Sequence, residues 1–140
     1  MALSTRGPLT GYAAAALGGV LGALARWSVS RALPSSGTGW PWATLLVNVT
    51  GCALIGLLLV VLQARFSRHP WLRPFLATGV LGGYTTFSTF TVDAVWLVGD
   101  GAVGVAVGYV AASVVGGLLA VVGGLTIGRA LLQRPGELRR

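Results

Sequence analysis

Leu81-Gly82-Gly83-Tyr84-Thr85-Thr86-Phe87-Ser88-Thr89-Phe90-Thr91 sets two glycines, five threonines and serines and three aromatics inside an otherwise apolar run. An unbroken membrane helix has no use for that composition. Paired glycines followed by consecutive β-branched threonines weaken a helix locally. Non-helical backbone at membrane depth persists only where protein or a water-filled cavity satisfies its polar groups. The stretch therefore predicts a break over residues 82–86 in a membrane helix that runs from about 74 to 98, with the other segments arranged around it.

The rest of the chain supports a membrane setting. Of 140 residues, 54% are hydrophobic and 9% charged, and the mean hydropathy is +0.80, which leaves a soluble domain too little polar surface to show water. Four helices at roughly 20 residues per crossing use most of this length in one domain. The net charge of +7 comes from ten basic residues, all arginine, which sit mainly at the ends of apolar segments. No basic stripe interleaves with aromatics, so nucleic acid is not the expected partner, and membrane-edge arginine is. A single cysteine, Cys52, excludes an intrachain disulfide and reads as a small apolar filler.

Residues 1–10, with Arg6 and Pro8, read as a short polar lead-in. Arg6, the apolar run to Ala25 and the triplet Ala23-Leu24-Ala25 imitate a secretory signal. Because the apolar pattern resumes after Arg26, the segment is expected to be kept as a first helix, about 9–33, stopped by Pro34 and Ser35-Ser36-Gly37. Gly18 and Gly22 are spaced for close helix contact. Arg26, next to Trp27, either snorkels to the headgroups or sets a fixed positive charge at the mouth of an anion path.

Trp40-Pro41-Trp42 marks an interface, and the uncharged run 43–62 predicts the second helix. Thr44, Asn48 and Cys52 recur every four residues there, which puts one polar stripe on one face. A membrane amide such as Asn48 serves equally well as interhelical glue or as a functional group. His69, the only histidine, lies in the arginine-rich loop after that helix and has no ligand-forming partner in sequence. Asp93 follows Phe90 by three residues and shares its helix face. After the Asp100-Gly101 turn the fourth helix is expected over about 103–132. Gly104, Gly108, Ala112, Gly116, Ala120, Gly124 and Gly128 form a small-residue seam along it, and Tyr109 and Ser113 begin a polar row that Gly117 and Val121 do not continue.

With four crossings, both termini and the loop between the second and third helices share one side. That side collects Arg6, Arg65, Arg68, Arg73, Arg129, Arg134, Arg139 and Arg140, against Arg26 and Arg31 on the other. So strong a bias predicts one insertion direction, with both termini in the cytoplasm.

No catalytic constellation is present. The three acids, one histidine and one cysteine are scattered, without a nucleophile-base pair, metal-ligand spacing or phosphate-cradling loop. Within the apolar segments the inventory is instead one of donors: hydroxyls, an amide, backbone N–H groups freed at the break, and an arginine. Donors without bases suggest anion handling. Phe87 and Phe90 can add ring edges, which carry positive potential, although two phenylalanines at this spacing also suit plain core packing.

Gly-Gly-Tyr-Thr-Thr-Phe-Ser-Thr-Phe at 82–90, Thr44-Leu45-Leu46-Val47-Asn48 with Gly51-Cys52, and Gly22-Ala23-Leu24-Ala25-Arg26-Trp27 resemble the three signature regions of the Fluc (CrcB) fluoride channels. The resemblance covers nearly the whole chain. It implies an all-α membrane protein in which an antiparallel dimer encloses two pores and lets cytoplasmic fluoride leak out passively. By motif position, Phe87 and Phe90 would be the ring-edge phenylalanines, Asn48 the amide beside them, and Arg26 the vestibule arginine. Tyr109 and Ser113 would begin the fourth-helix polar track, with Thr44 on the same pathway. A structural sodium ion would sit on the dimer axis, held by carbonyls of Gly82 and Thr85. Asp93 stands where a glutamate is usual in the family.

Fluoride holds its water tightly, so a selective path must replace that shell with donors while binding weakly enough for release. The arginine bias sharpens the expected assembly. An antiparallel homodimer needs a chain that inserts both ways, so a paralogous subunit of opposite topology is the expected partner and a homodimer the alternative. Two rival readings are a small proton-coupled multidrug exporter, which would need an intramembrane acid in the first two helices, and a non-transporting structural subunit surrounded by lipid.

Overall fold

Long apolar runs with few charges satisfy their backbone internally as helices, and the computed structural model, which describes residues 6–34 and 38–133, is built of helices joined by short turns and loops. Of Arg6, Gly7 and Pro8 only the backbone is described. The Ser35-Ser36-Gly37 turn and Arg134, Arg139 and Arg140 lie outside the described residues. No strand occurs among those described. Helix α1 spans Arg6–Ala32 and α2 Trp42–Arg65; a π-helical segment, Pro74–Leu81, runs into one helical turn, α3 (Gly82–Tyr84), and α4 (Phe87–Gly99) and α5 (Val103–Leu132) follow. Three helices are long and apolar enough to cross a membrane, Leu9–Ala32, Trp42–Arg65 and Val103–Leu132. The chain is a multi-pass membrane protein.

Two details differ from the expectation from sequence. The polar lead-in is already helical from Arg6, because a proline in the first turn removes only an N–H that has no intrahelical partner. Extended backbone is confined to Thr85 and Thr86 rather than spread over 82–86, with Gly82, Gly83 and Tyr84 remaining helical. The glycines permit other conformations without imposing them. Their absent side chains serve packing instead.

That packing fixes the layout. A Cβ on Gly22 would collide with the Val80 carbonyl, and one on Gly83 with the Gly19 carbonyl, so α1 lies backbone to backbone along the π-helical segment and α3. Likewise α2 and α5 touch where Gly124 faces the Ala53 carbonyl and Gly56 the Val121 carbonyl. The seam expected on the fourth helix is thus in contact along much of its length, although Gly104 has nothing within 4 Å of its Cβ direction.

Both pairs run parallel. Gly11 lies beside Pro74 and Gly22 beside Val80, while Gly108 lies beside Trp40 and Gly128 beside Val60. The N-terminal end of α1, the 66–73 loop and the C-terminal end of α5 therefore gather at one end of the bundle. Gly101, at φ +79°, makes the α4–α5 turn at the other end, a conformation that L side chains rarely adopt.

Candidate functional site

The site forms where α2 crosses the extended step. Thr85 (φ −74°, ψ 158°) and Thr86 (φ −148°, ψ 125°) leave helical space between Tyr84 and Phe87. Thr85 keeps its N–H on the Leu81 carbonyl at 2.9 Å, but the Thr86 N–H gives up its i→i−4 bond and needs another partner. Asn48 supplies it, with both halves of its amide on Thr86. Its Nδ2 donates to the Thr86 carbonyl at 2.9 Å, and its Oδ1 accepts from the Thr86 N–H at 2.8 Å. Thr50 and Tyr84 hydroxyls meet at 3.0 Å, and a Cβ on Gly51 would collide with the Thr85 side chain. Three neighbouring positions of α2 thus hold the step.

Thr86 then starts α4. Its Oγ1 accepts from the Thr89 N–H at 3.2 Å and donates to the Thr89 hydroxyl at 3.0 Å, an N-cap of ordinary kind. Two carbonyls lose donors by these substitutions. A continuous helix would bond the Thr86 N–H to Gly82 and the Thr89 N–H to Thr85, but those N–H groups go to Asn48 and the Thr86 hydroxyl. Gly82 has open space where a side chain would lie. Among the described residues no cluster of histidine, cysteine and carboxylates could hold a metal.

An open cavity of about 430 Å³ lies against the step, lined by Asn48, Thr86, Phe87, Phe90 and Ser113 among mainly apolar neighbours. The Ser113 Oγ is buried with no hydrogen-bond partner. Phe87 is 80% exposed in the single chain. Its ring lies 5.8 Å from that of Phe90 at 41°, and Phe90 lies 5.4 Å from Tyr109 at 40°. Tyr109 is fully buried, with Trp40 edge-on to it at 6.5 Å.

The remaining expected site residues fall into two places. Thr44 donates to an Asp93 oxygen at 2.7 Å, and Tyr109 approaches the same oxygen at 3.4 Å. Thr44 and Tyr109 therefore meet on Asp93 beside the cavity rather than lining it, with Phe90 bridging the two groups. Arg26, half-buried on α1, is not part of the cavity lining. Thr86 and the Asp93 cluster were not assigned from sequence. The Asn48 periodicity shows that an amide faces inward, but not that its target is main chain.

Residues 13–125 match the family of CrcB-like protein, Camphor Resistance (CrcB), a span that contains α2, the extended step and Asp93. The chain belongs to the CrcB family. Among its CrcB relatives, "Fluoride-specific ion channel FluC" of Paracoccus denitrificans is 48% identical over 116 residues, 83% of this chain and 92% of that protein. "Fluoride-specific ion channel FluC 2" of Thermobifida fusca is 45% identical over 128 residues, 91% of this chain and 95% of its own. "Fluoride-specific ion channel FluC 1" of Streptomyces coelicolor is 46% identical over 109 residues, 78% of this chain and 71% of its own. These CrcB relatives are named as ion channels, and the chain is not an enzyme.

Proposed function

We propose that this chain is a subunit of a passive, fluoride-selective channel that lets cytoplasmic fluoride leave the cell. One observation carries the reading: an amide, a buried unpartnered hydroxyl and two phenylalanines converge on one cavity beside the extended step. The names of the CrcB relatives supply the ion.

Fluoride enters such a path only if donors replace its water. Ser113 Oγ–H is one donor, and the Asn48 N–H not used on Thr86 is another. Ring edges of Phe87 and Phe90 add weak positive potential without a deep charge well, which favours release. Arg26 belongs at the vestibule, raising the local anion concentration, and the Thr44–Asp93–Tyr109 group continues the polar route past Phe90. The extended step divides a single third crossing, composed of Pro74–Tyr84 and Phe87–Gly99.

Each pore requires two subunits in this reading. The exposure of Phe87 and the openness of the cavity favour a second chain against that face, antiparallel to the first. On the axis between them a sodium ion fits the carbonyls of Gly82 and Thr85, whose helical donors are diverted. Bound there it would tie the two steps together by charge. The partner is a paralogous subunit of opposite topology, with both termini of this chain in the cytoplasm. Numbered names among the relatives, FluC 2 of Thermobifida fusca and FluC 1 of Streptomyces coelicolor, fit organisms that carry more than one such chain.

Fluoride efflux from loaded liposomes tests the reading. The chain with its partner should empty the vesicles, and Phe87→Ile or Asn48→Ala should slow the loss at least tenfold. Efflux unchanged by both substitutions would refute the site, and no efflux in any combination would favour a structural subunit.

A further inference from the structure

At the arginine-rich end of the bundle, two clefts share the last turns of α2. One, of about 520 Å³, is lined by Leu59, Leu62, Gln63, Phe66, Ser67, Pro70 and Arg73. The other, of about 380 Å³, joins Leu59 and Gln63 to Leu125 and Arg129. Each has an apolar floor of leucines and a polar rim, and each rim carries one arginine. Neither cleft contains any residue of the cavity beside the extended step.

The charge at this end has no carboxylate to answer it among the described residues. The described acids are Asp93 and Asp100. Asp93 is engaged by Thr44, and Asp100 precedes the α4–α5 turn at the opposite end. Arg73 and Arg129 are exposed at the level where the apolar spans end. Headgroups lie at that level in a bilayer, and acyl chains lie against the leucines below.

We propose that these paired clefts bind an anionic phospholipid, its phosphate held by Arg73 or Arg129 with Gln63 between them, and its acyl chains along Leu59, Leu62 and Leu125. A membrane lipid is the occupant that matches both halves of each cleft. A free phosphate would use the rim and leave the apolar floor wet. The site would make stability of the channel depend on leaflet composition without entering the ion path, and it stands whether or not the ion is fluoride.

The test is thermal unfolding of the full-length protein in detergent, titrated with phosphatidylglycerol, with phosphatidylcholine of the same chain length, or with glycerol 3-phosphate. Phosphatidylglycerol should raise the midpoint at concentrations where the other two do not. One membrane-surface arginine contributes about 1 kcal/mol, about five-fold in affinity. Arg73→Gln and Arg129→Gln should each weaken the phosphatidylglycerol response by about that factor, whereas Arg73→Lys and Arg129→Lys should keep most of it. Arg31→Gln, at the other end, should titrate like the parent. Equal stabilisation by phosphatidylcholine would overturn the proposal, as would equal stabilisation by glycerol 3-phosphate, which would indicate a simple anion site. A phosphatidylglycerol response untouched in the double glutamine variant would overturn it too.

Discussion

Asn48 shows how much one membrane residue can hold. Its amide bonds both the N–H and the carbonyl of Thr86, a residue only 8% exposed whose N–H has no helical partner. Truncation to alanine leaves the buried Thr86 N–H without a partner, a loss of about 1–3 kcal/mol, while the Thr86 carbonyl, at the N-cap of α4, keeps its first intrahelical bond. Asn48→Ala should therefore lower thermal stability in detergent by about 1–3 kcal/mol, in addition to the transport defect predicted for it. A conducting defect with full stability would show that the amide acts on the ion alone. Sequence places Asn48 on a polar stripe with Thr44 and Cys52, but the three residues have different targets. Thr44 bonds Asp93, Asn48 bonds Thr86, and Cys52 lies against Gly117. A period of four reports a shared face and is silent on what each side chain finds across it.

At the scale of the element, glycine reads differently from its first appearance. The Gly82-Gly83 pair looks like the break itself, yet it is helical, and Gly83 serves the close approach to α1. The threonines that follow carry the extended backbone. Apolar length makes the long helices legible in the sequence, and small-residue spacing shows which faces approach. It does not show which glycines touch backbone and which touch nothing. Gly124 and Gly123 separate these cases within one helix. Gly124→Ala would drive a methyl group into the Ala53 carbonyl, while Gly123 has nothing within 4 Å. The first should cost about 1–3 kcal/mol, and the second should be neutral or stabilise by up to about 1 kcal/mol through helix propensity. Unfolding of the two variants by heat checks the contrast; equal loss in both would mean that α2 and α5 are not in backbone contact.

For the whole molecule, the parallel pairing of α1 with the third segment and of α2 with α5 brings Arg65, Arg68, Arg73 and Arg129 to the same end as the N-terminal turn of α1. The sequence alone reaches that grouping only by assuming four crossings. Orientation of the arginine-rich end follows from the positive-inside rule rather than from the fold. Reporters fused to either terminus of the chain expressed alone should place nearly all molecules with both ends in the cytoplasm. Substantial populations in both orientations would contradict the paralogous partner and restore the homodimer. The assembly is the part least visible in one chain, because an open cavity and an exposed Phe87 mark the face to be covered without specifying the partner.

The proposed fluoride path is the cavity beside Thr86, lined by Phe87 and Phe90. The direct measurement is anion efflux from liposomes that contain the chain with a paralogue proposed as its partner, with fluoride and chloride followed in parallel. Fluoride should leave rapidly while chloride is retained, and Phe87→Ile should slow fluoride loss by about tenfold or more. Equal passage of both anions, or fluoride passage indifferent to Phe87, would contradict it.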